Sequence, residues 1–176
     1  MSLVSVEETR AYARNLLAKR VDMLKVDLDL TLDQLRAVIE EAAKAGVPVV
    51  GHSQNIRKAA EAGLKYMEHT DTLGRGVLNE NVQAGGKVAA GTDAGFMPGI
   101  TLHYEMQMLV DAGIPPMKVI QAATLWGAES IGQQKDLGSI EPGKLADVTV
   151  IEGNPLNDIT ATKNIRMVIK DGKVLD

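Results

Sequence analysis

The sequence contains no cysteine among its 176 residues. Disulfide bonds, cysteine nucleophiles and thiolate-ligated zinc are therefore excluded. Aromatic residues make up only 3% of the chain, which leaves little material for stacking against nucleic-acid bases. A formal net charge of −4 also disfavours a partner with a phosphate backbone. We therefore expect no nucleic-acid partner.

Long uncharged runs are also missing. The longest stretch without Asp, Glu, Lys or Arg is residues 45–56, which is 12 residues, whereas a membrane-spanning helix needs about 20. The early charges of Glu7, Glu8 and Arg10 do not fit a signal peptide. With 45% hydrophobic residues, the chain has the composition of a globular protein. We expect a cytoplasmic protein that has no membrane partner.

Hydrophobic periodicity predicts alternating strands and helices over the first 132 residues. The predicted strands are 21–27, 47–51, 64–68 and 87–90. The predicted helices are 5–20, 31–45, 56–62, 78–84, 102–112 and 115–131. Short loops in this strand–helix order predict an α/β fold with a parallel sheet and right-handed crossovers.

From about residue 133 the pattern changes, because glycine and proline separate short strands. The predicted strands are 147–151, 165–170 and 173–175, and Asp171-Gly172 is typical of a hairpin turn. We therefore place a boundary near residue 132, with a small β-rich segment over 133–176.

Four polar residues lie at or after the ends of the four predicted parallel strands: Lys25, His52, His69 and Asp93. The carboxyl ends of parallel strands share one edge of the sheet, so these groups are expected to converge. Two imidazoles and a carboxylate suit a divalent metal ion. Taken singly, each has an ordinary explanation as a structural histidine, a solvated lysine or a turn aspartate; together they favour a site. His103 lacks such a position, and we expect it to have a structural or substrate-edge role.

The residues around these four positions form recognisable motifs. They are VDMLK at 21–25, VVGH at 49–52, YMEH at 66–69, GTDAG at 91–95, QAAT at 121–124, GSIEPGKLAD at 138–147, NPL at 154–156 and KDGKV at 170–174. Together they resemble the amidohydrolase superfamily, especially its prolidase-like and imidazolonepropionase-like branch. The resemblance covers nearly the whole chain, and the run at 138–147 is specific.

The resemblance implies a partial (β/α) TIM barrel of about four βα units over residues 1–132, followed by strands of a small β-sandwich over 133–176. It also implies a metal-dependent hydrolase of carbon–nitrogen bonds, acting on dipeptides or, second, on cyclic amides. Lys25 would be carboxylated and bridge metals, while His52 and His69 would hold the second metal. Asp93 would ligate the first metal and move a proton to the leaving nitrogen.

The sequence departs from the family in two ways. The chain has three histidines, and none form the family's His-x-His pair. A complete barrel takes about 250 residues, whereas residues 1–132 hold about four βα units. The 24 positions from His69 to Asp93 have room for one helix and one strand, so the seventh strand is missing unless the assignment of the GTDAG motif is shifted by one strand. We therefore expect at most one divalent ion per chain, with zinc as the expected metal, and weak or no hydrolysis by the isolated chain. We also expect a homo-oligomer or a complementing N-terminal half.

Two alternatives stay open at this point. The chain could be a non-catalytic scaffold, or a single-metal-binding fragment that needs a partner chain; the missing His-x-His pair favours this class. It could also be a small-ligand module that binds an anion at Gly74–Gly76 or Gly91–Gly95. Hydrolysis of a dipeptide library with zinc or manganese separates the first interpretation from both.

Overall fold

The computed structural model describes residues 5–27, 30–51, 56–68, 79–80, 82–83, 85–92 and 99–175. The first half alternates helices and strands. The elements are α1 (Val6–Ala18), β1 (Leu24–Val26), α2 (Leu32–Ala45), β2 (Val49–Gly51), α3 (Ile56–Glu61), β3 (Tyr66–Glu68) and β4 (Lys87–Ala89). The four strands form one parallel sheet in the order β1-β2-β3-β4. The predicted α/β fold with a parallel sheet is confirmed.

The first strand is shorter than predicted, since β1 covers only Leu24–Val26 rather than residues 21–27. Lys25 therefore lies at the centre of the strand and not at its end. The first three helices, α1, α2 and α3, begin and end within two residues of their predicted bounds. The predicted helix 78–84 lies partly outside the described residues. Thr31 and Gln34 form a full capping box at the start of α2, and Gly46, with φ of 69°, ends that helix in the left-handed conformation.

The two faces of the parallel sheet differ in chemistry. Strand residues alternate between faces, and one face carries Leu24, Val26, Val49, Met67 and Val88. All five belong to the hydrophobic core that the helices complete. The other face, called the polar face below, carries six residues in two rows. They are Lys25, Val50, Tyr66 and Lys87 in one row, and Glu68 and Ala89 in the next.

Three helices follow the sheet: α4 (Ile100–Asp111), α5 (Pro116–Ala122) and α6 (Leu125–Ser130). The predicted single helix over 115–131 is therefore wrong. Thr124 has φ of −134° and ψ of −93°, which breaks the helix. Its hydroxyl donates to the Ile120 carbonyl, a local bond through which threonine competes with helical hydrogen bonding.

The C-terminal residues form a three-stranded antiparallel sheet of β5 (Val148–Ile151), β6 (Ile165–Lys170) and β7 (Lys173–Leu175). The predicted hairpin turn is confirmed, because Asp171 and Gly172 both have positive φ. A 3₁₀ helix, Ile159–Lys163, lies between β5 and β6 and was not predicted. Closure of a barrel, a second sandwich layer and the boundary near residue 132 stay predictions.

The specific run at 138–147 builds the connection to this sheet. A Cβ on Gly138 would lie 2.7 Å from Leu125 Cα, so this glycine permits a close approach to α6. The Lys144 ammonium donates to the Gln134 carbonyl at 2.7 Å and to Ser139 Oγ at 2.6 Å. Asp147 accepts a hydrogen bond from the Asp171 amide at 2.8 Å. In this chain, the described contacts of the motif hold a loop in place.

Within the described ranges, no helix has the length and apolar composition to cross a bilayer.

Candidate functional site

Lys25 and Glu68 meet on the polar face of the parallel sheet. Lys25 Nζ lies 3.1 Å from Glu68 Oε2, although β2 runs between the two strands that carry them. Adjacent strands are about 4.8 Å apart, so the two side chains reach toward each other across the intervening strand. Val50, the residue of β2 in register with Lys25, is completely buried. The polar face therefore has a charged pair at its centre.

Gly51 holds β1 and β2 close together beside this pair. A Cβ built on Gly51 would lie 2.1 Å from the Val26 carbonyl oxygen and 2.6 Å from Val26 Cγ2. Backbone cannot move aside as a flexible side chain can, so only glycine fits between these strands. The glycine in the VVGH motif therefore permits the close spacing of two strands: β1, which carries Lys25, and β2, which His52 follows in the sequence.

The Glu68 carboxylate is incompletely satisfied. Its Oε2 atom is buried and accepts no hydrogen bond within the described part of the chain, and its described contact is the ion pair with Lys25. The side chain of Glu68 is 17% exposed, whereas that of Lys25 is 43% exposed. Buried carboxylate oxygens normally accept hydrogen bonds or bind a cation. This oxygen therefore has lone pairs to offer to a cation at the centre of the polar face.

The other three predicted site residues, His52, His69 and Asp93, lie outside the described residues. In sequence, His52 directly follows Gly51, the last residue of β2, and His69 directly follows Glu68, the last residue of β3. Both histidines thus follow strands that end at the same edge of the sheet. Within the described part of the chain, no three His, Cys, Asp or Glu side chains are grouped as a metal site.

One described feature nevertheless suits a divalent cation. Glu68 contributes a buried oxygen that accepts no hydrogen bond among the described residues, and Lys25 contributes an amine 3.1 Å away. Oxygen and imidazole donors are the ordinary ligands of catalytic zinc. The Glu68 oxygen is thus the described feature that fits a metal ion, while His52, His69 and Asp93 lie outside the described residues.

Sequence reasoning did not identify Glu68 as a site residue, although it lies in the YMEH motif. The two-residue period of a strand could have identified it. Glu68 shares a face with Tyr66, Tyr66 is in register with Val50, and Val50 is in register with Lys25.

A second ion pair, Lys87 with Glu129 of α6, lies toward the amino end of the same face. A cavity of about 330 Å³ is lined there by Tyr66 and Glu129, among other residues.

Tyr66 provides a prediction for this amino-end region. Burial raises the pKa of its phenol, the Glu129 carboxylate raises it further, and Lys87 lowers it. The raised pKa means that ionisation of Tyr66 at alkaline pH opposes folding, so its contribution to stability is lost as pH rises through the folded pKa. Spectrophotometric titration should show a phenol, lost in Tyr66→Phe, that ionises above the ordinary tyrosine pKa. Glu129→Gln should lower the pKa of Tyr66 and Lys87→Met should raise it; no change in either variant would contradict the assigned surroundings.

Comparison with known proteins adds a family match. The model of the amidohydrolase family matches residues 71–175 of the chain. The imidazolonepropionase of Streptococcus gordonii is 27% identical over 93% of this chain and 58% of its own length. The ochratoxinase of Aspergillus niger is 27% identical over 81% of this chain and 41% of its own length. The chain thus spans about half the length of these curated relatives.

A solved structure described as a Xaa-Pro dipeptidase with methionine bound in its active site is similar to this chain in fold. The TM-score is 0.74 with 25% identity, covering 99% of this chain and 59% of the dipeptidase chain. The match to the ochratoxinase extends over 197 positions, which exceeds the 176 residues of this chain. That relative therefore has residues inside the matched region that this chain lacks. The absence of a seventh strand specifically stays a prediction.

Proposed function

The chain belongs to the amidohydrolase family, and from this membership we propose that it carries part of a metal-dependent site that hydrolyses carbon–nitrogen bonds. The observation that carries the proposal is the meeting of Lys25 and Glu68 at 3.1 Å on the polar face, immediately before the strand ends that His52 and His69 follow. This contact joins β1 and β3, which lie far apart in the sequence, through one residue of the VDMLK motif and one residue of the YMEH motif.

Four residues would hold the metal: Lys25 as its carbamate, His52, His69 and Asp93. When bound, a divalent ion supplies polarisation of a carbonyl and makes a water molecule more acidic. Asp93 accepts the proton of the attacking water and delivers it to the leaving nitrogen. Glu68, which pairs with the Lys25 ammonium in this structure, would then lie beside the anionic carbamate and help to balance the positive charge of the bound ion.

We propose dipeptides as the first substrate class and cyclic amides as the second. Similarity to a Xaa-Pro dipeptidase supports the former, and similarity to an imidazolonepropionase supports the latter. A family fold by itself does not select between them. Hydrolysis of Xaa-Pro dipeptides and of an imidazolone by the same preparation distinguishes the two.

We propose one divalent ion per chain, zinc first, because the chain has no His-x-His pair. We further propose that the site is completed by a second copy or by a separate N-terminal half. Hydrolysis should then be weak in the isolated chain and should rise when a completing chain is added.

Metal analysis tests the site directly. After reconstitution with zinc, the chain should hold one ion, and His52→Ala and His69→Ala should each weaken binding by more than roughly 100-fold, since even changes around the ligands cost 10–100-fold. Glu129→Gln, which removes an ion pair toward the amino end of the face, should bind zinc like the parent. Two tightly held ions, or one that survives in both histidine variants, would overturn the proposed ligand set.

A second candidate is a non-catalytic scaffold that binds one metal. The missing His-x-His pair favours it, because that pair supplies ligands in the family. Zinc binding lost in His52→Ala, with no hydrolysis of either substrate class even after a completing chain is added, would favour this candidate over the hydrolase.

A further inference from the structure

The C-terminal segment contacts the first turn of α4 through one hydrogen bond between side chains. His103 Nδ1 lies 3.0 Å from Thr162 Oγ1, which joins α4 to the 3₁₀ helix. Beside this bond, the Lys163 ammonium lies 4.5 Å from the centre of the Tyr104 ring, as in a cation–π contact. Two neighbouring residues of α4 thus contact two neighbouring residues of the 3₁₀ helix.

The hydroxyl of Thr162 determines which atom donates in this bond. Thr162 is buried, and its hydroxyl donates its single hydrogen to the Ile159 carbonyl at 2.8 Å. A hydroxyl that has donated can only accept from a further partner. His103 therefore donates through Nδ1–H, and in the neutral ring the lone pair is on Nε2.

The 3₁₀ helix is anchored on both of its sides. Ile159 is 3% exposed and belongs to the main hydrophobic core. At the start of the helix, the Asp158 carboxylate accepts hydrogen bonds from the Thr160 amide at 2.9 Å and the Thr160 hydroxyl at 2.7 Å. Thr162 is thus presented to His103 by a fixed element, whereas most residues of the C-terminal strands are exposed.

His103 is also close in the sequence to Asp93, one of the predicted site residues. His103 lies in the first turn of α4, which begins at Ile100 after Gly99, a residue with φ of 90° and no side-chain cap. Asp93 precedes Gly99 by six positions in the sequence. Gly99 itself offers no side-chain cap at the start of α4, and the bond from His103 adds a restraint at this end of the helix.

We propose that His103 and Thr162 are positioning residues: their hydrogen bond lets the C-terminal segment fix the start of α4 and, through it, the segment that carries Asp93. The consequence for Asp93 rests on the proposed function, whereas the restraint on α4 does not. Loss of the bond should loosen residues 99–105 locally without unfolding the chain.

The test removes one hydroxyl at a time from the 3₁₀ helix. Thr162→Val keeps the shape of the side chain but cannot accept the bond, whereas Thr162→Ser retains the hydroxyl. Thr160→Val is the matched control, since its hydroxyl bonds only within the cap. Amide hydrogen exchange of residues 99–105 should accelerate about three- to tenfold in Thr162→Val. It should stay at the parent rate in Thr162→Ser and Thr160→Val.

The ring nitrogens of His103 provide a second measurement. Nitrogen-15 NMR at neutral pH should show the Nδ1–H form in the parent chain, and Thr162→Val should remove that preference. A predominant Nε2–H form in the parent, or unchanged exchange of residues 99–105 in Thr162→Val, would overturn the proposal. Where hydrolysis is measurable, kcat should fall in Thr162→Val and recover in Thr162→Ser. Absence of hydrolysis in the parent would count against the proposed function and leave the exchange result as the test of this restraint.

Discussion

Gly51→Ala is expected to lose much of the free energy of unfolding or to prevent folding of the parallel sheet. The added methyl would lie 2.1 Å from the Val26 carbonyl oxygen, closer than any non-bonded carbon and oxygen approach. Relief requires β1 and β2 to separate, and the paired register Val26↔Gly51 would break. Overpacking against side chains costs about 1–3 kcal/mol, and a clash with backbone should cost roughly 3 kcal/mol or more.

Urea denaturation of a paired set measures this effect. Gly127→Ala is the matched control, because a Cβ there meets its nearest atom at 3.5 Å and the residue lies within α6. Alanine favours a helix over glycine by about 1 kcal/mol, so this variant should equal or exceed the parent in stability. If Gly51→Ala were as stable as the parent, the close spacing of β1 and β2 would be refuted.

The sequence was sufficient to predict the alternation of elements and the parallel sheet. Apolar strands such as β2 and glycine stops such as Gly46 are local signals, and the structure confirms both. The pairing of Lys25 with Glu68 was not predictable in the same way. Their approach depends on how the sheet brings side chains two strands apart together, and on the spacing that Gly51 permits. Local periodicity gives the face of a residue and not its neighbours across the sheet.

The two errors in the helical regions have a similar origin. The break at Thr124 comes from a hydroxyl that bonds to Ile120, and the residues around it are apolar enough to suggest a continuous helix. The 3₁₀ helix is too short for periodicity to reveal, although Asp158 and Thr160 are typical of a cap. His103 is hydrogen-bonded to Thr162 of this 3₁₀ helix, 59 positions away in the sequence. Such contacts between distant segments are invisible to pattern analysis of one chain.

Glu41→Gln is expected to produce the second large effect, at the contact between α1 and α2. Glu41 is 5% exposed and accepts hydrogen bonds from Arg10 at 2.8 Å, Arg14 at 2.9 Å and Lys44 at 2.7 Å. These bonds, first that of Arg14, hold the pKa of the Glu41 carboxyl far below its ordinary value of 4.5. An amide cannot compensate three cations, so the variant should unfold at a Tm lower by roughly 5 °C or more.

The pH dependence of this loss identifies its cause. A carboxyl whose pKa is lowered by folding stabilises the protein above its unfolded pKa, and this contribution disappears as pH falls through the folded pKa. The Tm difference between the parent and Glu41→Gln should therefore be full at neutral pH and shrink as pH falls below about 4.5. Glu40→Gln is the control, since Glu40 is exposed and contacts only Arg10 among the described ion pairs. A difference that stayed constant from pH 7 to pH 3 would show that Glu41 acts through packing, because the loss of its charge on protonation would then have no effect on the stability of the α1–α2 contact.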